Sequence, residues 1–298
     1  MQQKQPSVSF NVASKIKDYF LLMKFTLSFT VVFSTVICYL LAPKIIAFDF
    51  ENVLILFIAG MCITGAANAM NQALEKDTDA QMKRTANRPV AANRMEVSEA
   101  AIFSILVCLL GFFLMYYFFN AISAYLSLFS YVLYAFVYTP LKKVNSIAVL
   151  VGAIPGALPC LIGWVAGNDE FSAGGWILFT LQFLWQFPHF WAIAWIAYND
   201  YTKVGFKLLP SSGKPTKITA IQTILYSLLL IPIGLMPFIF HLAGFTSMII
   251  ILCCNIVMIL FAVHLYITMQ PKEAKKIMFG SYIYLPIVLL SLLADKIY

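Results

Sequence analysis

Asn71, Glu75 and Asp79 stand four residues apart in the stretch NAMNQALEKDTDAQMKRTANRP, residues 68–89. On an α-helix each four-residue step turns only about 40°, so these side chains share one stripe about 12 Å long. Asn68 lies about 60° from Asn71 and can join the stripe, whereas Asp77 points off it. Like carboxylates on one stripe repel unless a cation lies between them. Oxygen ligands of this kind suit a hard divalent cation, Mg²⁺ above all, which commonly bridges to phosphate. Lys83, Arg84 and Arg88 follow at once and are suited to hold the same anion. The pattern also fits a solvated, mixed-charge loop, and spacing alone leaves both readings open.

Two further stretches carry polar groups within apolar surroundings. In FTLQFLWQFPHFWAIAWIAYNDY, residues 179–201, Gln182, Gln186 and His189 fall at i, i+4 and i+7 and give an apolar helix one polar face. Trp185, Trp191 and Trp195 surround that face, Pro188 can kink it, and Asp200 follows. Polar groups at membrane depth are functional candidates, although hydrogen bonding between packed helices explains such residues equally well. In YVLYAFVYTPLKK, residues 131–143, an apolar run ends in Tyr138, Thr139 and Pro140 and then Lys142 and Lys143. The two lysines suit a diphosphate, and also suit simple anchoring at a membrane face. Lys24, inside the first apolar run, can snorkel to the surface or point into a cavity.

The elements that must position these groups are membrane helices. The chain has 298 residues, 61% hydrophobic and only 11% charged, against about 25% charged in a soluble domain. Nine spans can be drawn, at about 20–42, 52–72, 101–118, 122–140, 146–166, 174–197, 218–239, 246–268 and 277–294. Eighteen of the twenty Lys and Arg residues fall on one side of that arrangement, leaving Lys44 and Lys296 on the other. The positive-inside rule then puts the N-terminus and the motif loops in the cytoplasm and the C-terminus outside. Six cysteines, Cys38, Cys62, Cys108, Cys160, Cys253 and Cys254, lie in apolar runs without a CxxC, and are expected to be small buried hydrophobes. The first eighteen residues are polar and precede a run long enough to span, so no cleavable signal is expected. A faint echo links the second span, running into residues 71–79, with the sixth, running into Asn199-Asp200.

Taken together, these residues resemble the UbiA-type intramembrane prenyltransferases, the superfamily that includes the 4-hydroxybenzoate polyprenyltransferases. The likeness is closest to the branch that farnesylates protoheme IX. It rests on NQALEKDTDAQMKRTANRPVA with its Arg84-Thr85-x-x-Arg88-Pro89 run, on Tyr138-Thr139-Pro140-Leu141-Lys142, and on Trp185-Gln186-x-Pro188-His189 followed by Asp200-Tyr201. It covers essentially the whole chain. Two departures stand out: Glu75 occupies a position where many relatives carry Asp, and Val204 follows Asp200 at +4, where the wider superfamily has a second aspartate.

The resemblance implies an all-α integral membrane protein, about nine transmembrane helices bundled around a central cavity. Residues 1–19 would form a cytoplasmic segment and residues 20–298 one prenyltransferase domain. It implies transfer of a farnesyl group from farnesyl diphosphate to a vinyl group of heme b, giving heme O. Asn71, Glu75, Asp79 and Asp200 would hold Mg²⁺, and Arg84, Arg88, Lys142 and Lys143 would neutralise the diphosphate. Tyr138, Gln186 and His189 would bind substrate, His189 against heme, with Trp185, Tyr138 or Trp191 shielding the farnesyl cation. The setting would be the bacterial cell inner membrane, with a heme A synthase or terminal oxidase assembly downstream. A prenyltransferase acting on a quinone precursor such as 4-hydroxybenzoate is the alternative; the lone Asp200 and the His189 motif count against it. A transporter would place its polar site at the midplane and show an internal repeat, whereas here the acids cluster at one end.

Overall fold

In a bilayer, backbone N–H and C=O groups find partners only within helices or closed barrels. The computed structural model, which describes residues 12–210 and 214–297, is helical throughout its long apolar runs. The helices are α1 (Val12–Leu22), α2 (Phe25–Leu41), α3 (Phe50–Leu74), α4 (Lys76–Gln81), α5 (Val97–Phe118), α6 (Ala121–Leu141), α7 (Ala148–Asn168), α8 (Ala173–Ile196), α9 (Tyr198–Lys203), α10 (Lys217–Ile239), α11 (Phe245–Thr268) and α12 (Pro271–Ala294). Within α6 the residues Leu133–Tyr138 form a π-helical turn. Among the described residues, strand pairing is limited to one isolated bridge, Ala243 to Lys296. The chain is an integral membrane protein: among the described residues seven helices, α3, α5, α6, α7, α10, α11 and α12, are long and apolar enough to cross a bilayer. Helices α1 and α2 make an eighth span when taken together. Helix α8 has the length, 24 residues, while Gln182, Gln186, Pro188 and His189 dilute its hydropathy.

The expected first span, 20–42, differs in form. Within the described residues the helix already runs at Val12, and it bends by 48° between α1 and α2. Lys24 sits at the break with φ +48°, a left-handed conformation uncommon for a residue with a side chain. The break frees backbone carbonyls, and neighbouring polar side chains take them up. Gln72 Nε2 donates to the carbonyls of Leu21 and Leu22 at 3.1 and 2.9 Å. Ser28 Oγ donates to the carbonyl of Met23 at 2.8 Å. Residue 20 therefore lies inside α1, and the N-terminal segment and first span share a helix; residues 1–11 lie outside the described residues.

The centre of the bundle is α7. Its most apolar window is 78% buried, against 22% for α5 at the periphery. Small residues make the close approach possible: a side chain at Gly163 would meet the backbone carbonyl of Thr35 on α2. Pro159 removes the N–H that would bond the carbonyl of Pro155, and Ser130 Oγ of α6 donates to that carbonyl at 3.3 Å. The cysteines are free; Cys38, Cys62, Cys108 and Cys160 are buried as expected. Cys254 is half-buried and Cys253 is exposed, because α11 is peripheral and turns Cys253 outward where the surrounding phase is lipid.

Candidate active site

Helix α3 stops at Leu74, and Glu75 (φ −104°, ψ 17°) links it to α4. Helical hydrogen bonding nevertheless passes through the joint, from Glu75 N to Asn71 O at 3.0 Å and from Asp79 N to Glu75 O at 2.7 Å. The stripe therefore survives the break. Asn71, Glu75 and Asp79 are buried, whereas Asp77 is exposed and off the stripe. Asn68 is buried too, but its Nδ2 is spent on Ser28 Oγ at 3.1 Å.

Each member of the stripe meets a cation. Lys142 Nζ stands 2.6 Å from Glu75 Oε1. Arg88 Nη1 donates to Asp79 Oδ2 at 2.6 Å. Lys24 Nζ donates to Asn71 Oδ1 at 3.1 Å, so the helix break turns this lysine inward. Asn71 Nδ2 in turn donates to Glu75 Oε2 at 2.7 Å and to Thr139 Oγ1 at 3.2 Å. Arg84 Nη2 donates to Tyr201 Oη at 3.0 Å. Three cations thus meet a stripe of two carboxylates and an amide, with Arg84 held by Tyr201 as a fourth, an excess suited to a multiply charged anion. Burial pulls the Lys142 ammonium below the usual lysine range, with the Glu75 carboxylate opposing the shift. Burial raises the Tyr201 phenol, against the pull of Arg84. Lys143 points to solvent and joins none of these contacts.

The stripe also has the makings of a metal-binding surface. Asp79 Oδ1 is buried with no hydrogen-bond partner, a costly state for a carboxylate oxygen unless something else compensates it. With the Asn71 amide oxygen and Glu75 alongside, the donor set is hard oxygen and fits Mg²⁺. Among the described residues no three of His, Cys, Asp and Glu gather to hold a metal. Asp200 stands instead in an open cleft of about 610 Å³ with Lys83, Ile196, Ala197, Asn199 and Lys203. Its carboxylate lies 3.8 Å from Lys203 Nζ. The cleft adjoins Arg84 through Lys83 and adjoins Tyr201 through Asp200.

Tyr138 and Lys142 are set by the end of α6. The Tyr138 ring packs against α7 where a side chain at Gly152 would clash with it, and Lys142 Nζ lies 5.0 Å from the ring centre. The 198–217 loop is tied to this corner by Lys207 N donating to Lys142 O at 2.8 Å. The faint echo in the sequence has a structural counterpart. Helix α8 breaks at Ala197 and resumes as the six-residue α9, as α3 breaks at Glu75 and resumes as α4.

The polar face of α8 is divided between two neighbours. Gln186 Nε2 donates to the carbonyls of Ala153 and Gln182, each at 3.1 Å, and Gln182 Nε2 to the carbonyl of Gly156 at 2.8 Å. Both amides therefore join α8 to α7. His189 faces α12: its Nδ1 lies 2.7 Å from Ser281 Oγ, and its ring stacks on Trp185 at 5.1 Å. Trp185 Nε1 donates to the carbonyl of Ser281 at 3.1 Å. Trp191 packs with Phe187 and Tyr226. Of Trp185, Tyr138 and Trp191, the residues expected to shield a farnesyl cation, Tyr138 has its ring beside Lys142 of the acidic cluster.

A bundle of membrane helices whose loops bring an acidic stripe under arginines and lysines defines an intramembrane prenyltransferase, and the chain belongs to the UbiA prenyltransferase family, whose sequence pattern matches residues 31–285. The relatives narrow this. The chain is 43% identical over 287 residues to the protoheme IX farnesyltransferase of Cytophaga hutchinsonii, covering 96% of this chain and all of that one. It is 39% identical over 297 residues to the enzyme of the same name from Flavobacterium johnsoniae, covering 97% of each. Among solved structures, the fold matches a digeranylgeranylglyceryl phosphate synthase with TM-score 0.78 at 21% identity, over 95% of this chain and 98% of that one. It also matches a UbiA homolog from Archaeoglobus fulgidus bound to GPP and Mg²⁺, with TM-score 0.62 at 13% identity, over 93% of this chain and 99% of that one.

Proposed function

We propose that this protein transfers the farnesyl group of farnesyl diphosphate to a vinyl group of heme b, giving heme O and diphosphate. The observation that carries the reading is the near full-length identity to protoheme IX farnesyltransferases, 43% and 39%, joined to a buried acidic stripe held under an excess of cations. Asn71, Glu75 and Asp79 hold Mg²⁺, and Asp200, in the adjoining cleft, is the further acid within the motif set. When bound, Mg²⁺ offsets charge on the diphosphate leaving group. Lys24, Arg84, Arg88 and Lys142 bind the diphosphate oxygens; the arginine forks match two oxygens at a time. Their charge is worth most at the departing oxygen, where it develops as the allylic C–O bond breaks and the electron pair leaves with diphosphate. The vinyl π electrons form the new C–C bond to the farnesyl carbon. Water captures the remaining cation beside the porphyrin ring and loses a proton, leaving a hydroxyethylfarnesyl side chain. Tyr138 shields cationic charge with its ring face. His189 holds heme by its imidazole on the α12 side.

The charge asymmetry supports a cytoplasmic N-terminus and cytoplasmic motif loops, with the C-terminus outside the bacterial inner membrane. A heme A synthase or an oxidase assembly would consume the product. Purified protein given heme b, farnesyl diphosphate and Mg²⁺ should yield heme O by mass. Binding of both substrates without product would refute the assignment, and turnover of 4-hydroxybenzoate in place of heme would replace it.

A further inference from the structure

The arginines that face the acids are carried on residues 82–95, a succession of turns outside the helices. Thr85, Ala86 and Arg88 bond back within it, Ala92 N donates to Arg88 O at 2.8 Å, and Arg94 N donates to Pro89 O at 2.9 Å. One end is pinned to the stripe, by Thr85 Oγ1 donating to Asp79 O at 2.8 Å and by Arg88 donating to Asp79. The other end is pinned by a side chain that the acidic motif does not contain. Arg94 Nη2 donates to the carbonyl of Asn87, the residue before Arg88, at 3.0 Å. The same guanidinium donates through Nε to Asp18 Oδ1 at 3.0 Å and approaches Oδ2 at 3.3 Å. Asp18 is buried, with 8% of its surface exposed, although it lies on a surface helix. A polar thread thus runs Asp18, Arg94, Asn87 carbonyl, Arg88, Asp79.

Helix α1 is fixed independently. Lys15 Nζ and Tyr19 Oη both reach the Glu99 carboxylate at the start of α5, at 2.8 and 2.7 Å. Those two bonds go to α5 and not to the 82–95 segment. Docking α1 therefore does not require Asp18 to hold Arg94, and the Asp18–Arg94 contact adds orientation of one guanidinium.

We infer that Asp18 and Arg94 are positioning residues for the diphosphate-binding loop: Asp18 aims Arg94, and Arg94 holds the peptide before Arg88 so that Arg88 meets its anion in one orientation. Hydrogen bonds to charged groups are among the stronger ones, and without this one part of the ordering would be lost on each binding event. The N-terminal helix then belongs to the working site and not only to the membrane anchor. This rests on the proposed function for the identity of the diphosphate, so the test reads binding as well as turnover.

The experiment measures Kd for farnesyl diphosphate with Mg²⁺, KM for each substrate and the thermal midpoint on the full chain. Asp18→Asn and Arg94→Gln should each weaken farnesyl diphosphate binding about tenfold, with KM for heme changed less than about twofold. Asp18→Glu, which keeps the carboxylate, should bind like the wild type, as should Glu99→Gln, which loosens α1 without touching the loop. The double variant Asp18→Arg with Arg94→Asp restores an ion pair between helix and loop but removes the donor to the Asn87 carbonyl, so its binding should stay weak. Unchanged Kd in Arg94→Gln would overturn the inference. So would an equal loss in Glu99→Gln, or full rescue by the double variant, since either reduces the contact to docking of α1. Failure of wild-type turnover with intact diphosphate binding would count against the heme reading alone.

Discussion

Asp79→Asn is the sharpest probe of the acidic stripe. The side chain is 1% exposed, with Oδ2 held by Arg88 at 2.6 Å and Oδ1 without a partner. Asparagine keeps the volume, and its amide oxygen can still accept from Arg88 as a neutral group. The NH₂ group then falls where the unpartnered oxygen stood, replacing an oxygen donor by a group that repels a cation. For stability, an ion pair becomes a hydrogen bond charged only on the Arg88 side, a loss of about 1–2 kcal/mol. That lies below the about 3–5 kcal/mol for stranding one member of a fully buried pair, because Arg88 is itself 21% exposed and solvent can reach it. For turnover, the loss falls on leaving-group stabilisation. Removing one preorganised electrostatic contact typically lowers kcat about 10²–10³-fold, or about 2.7–4 kcal/mol. The assay is heme O formed per unit time, by mass, at saturating substrates, beside a thermal melt of the same preparation. The expected result is a loss of two to three decades in kcat with a melting shift of about 2–8 °C. Asp77→Asn, exposed and off the stripe, is the matched control and should stay within about twofold. Wild-type kcat in Asp79→Asn would refute the reasoning, as would an Asp77→Asn loss of equal size.

Lys24→Met should raise KM for farnesyl diphosphate about tenfold by removing a half-buried cation, while Lys24→Arg retains most of the binding; equal kinetics in all three proteins would take Lys24 out of the site. His189→Ala should weaken heme binding, read from the heme absorption spectrum and KM for heme, with farnesyl diphosphate binding unchanged; an unaltered spectrum and KM would remove His189 from the heme site. Gly163→Ala should destabilise the bundle by about 1–3 kcal/mol through overpacking against the Thr35 carbonyl, measured as a lower melting midpoint, and an unchanged midpoint would mean that α2 and α7 can part without cost.

The spans and the stripe are legible in the sequence because both are periodic. Apolar runs of fixed length define the helices, and four-residue spacing puts Asn71, Glu75 and Asp79 together while turning Asp77 out. The bend at Lys24 is not legible, since no Pro or Gly marks it. What permits it is the supply of side chains from elsewhere, Gln72 and Ser28, that take up the freed carbonyls. Pairings between distant elements are equally silent. Glu75 with Lys142 and Arg84 with Tyr201 are set by how α6 and α9 pack, at separations that no local pattern encodes. The polar face of α8 reads as one surface in sequence, yet its glutamines bond α7 and its histidine meets α12. A face of a helix 24 residues long at the middle of a bundle touches more than one neighbour. Asp200 meets the same limit: it follows α8 much as Glu75 follows α3, but an equivalent place after a helix break does not bring it to the same cation.

The charged groups that the proposed function uses sit where helices stop. Lys24 lies between α1 and α2, Glu75 between α3 and α4, Lys142 just past α6, and Asp200 and Tyr201 in the short turn beyond α8. A regular membrane helix has its backbone groups satisfied internally and presents side chains to lipid or to a packed neighbour. A polar side chain there must find a protein partner, as the Gln186 amide does in the Ala153 carbonyl. At a break the chain can turn a charged group inward to a water-accessible cavity, and the exposed carbonyls can be capped by neighbours instead of by solvent. Several breaks at one depth therefore gather charge from elements far apart in sequence without any one helix carrying a charged stripe through the bilayer. Under the proposed function, the same geometry would leave the diphosphate at the end of the bundle, where it stays hydrated, and the apolar helices for the prenyl chain. The acidic motif straddles the joint between α3 and α4: Asn71 is anchored in the span, Asp79 is carried beyond it, and Glu75 at the joint meets Lys142 from the end of another span.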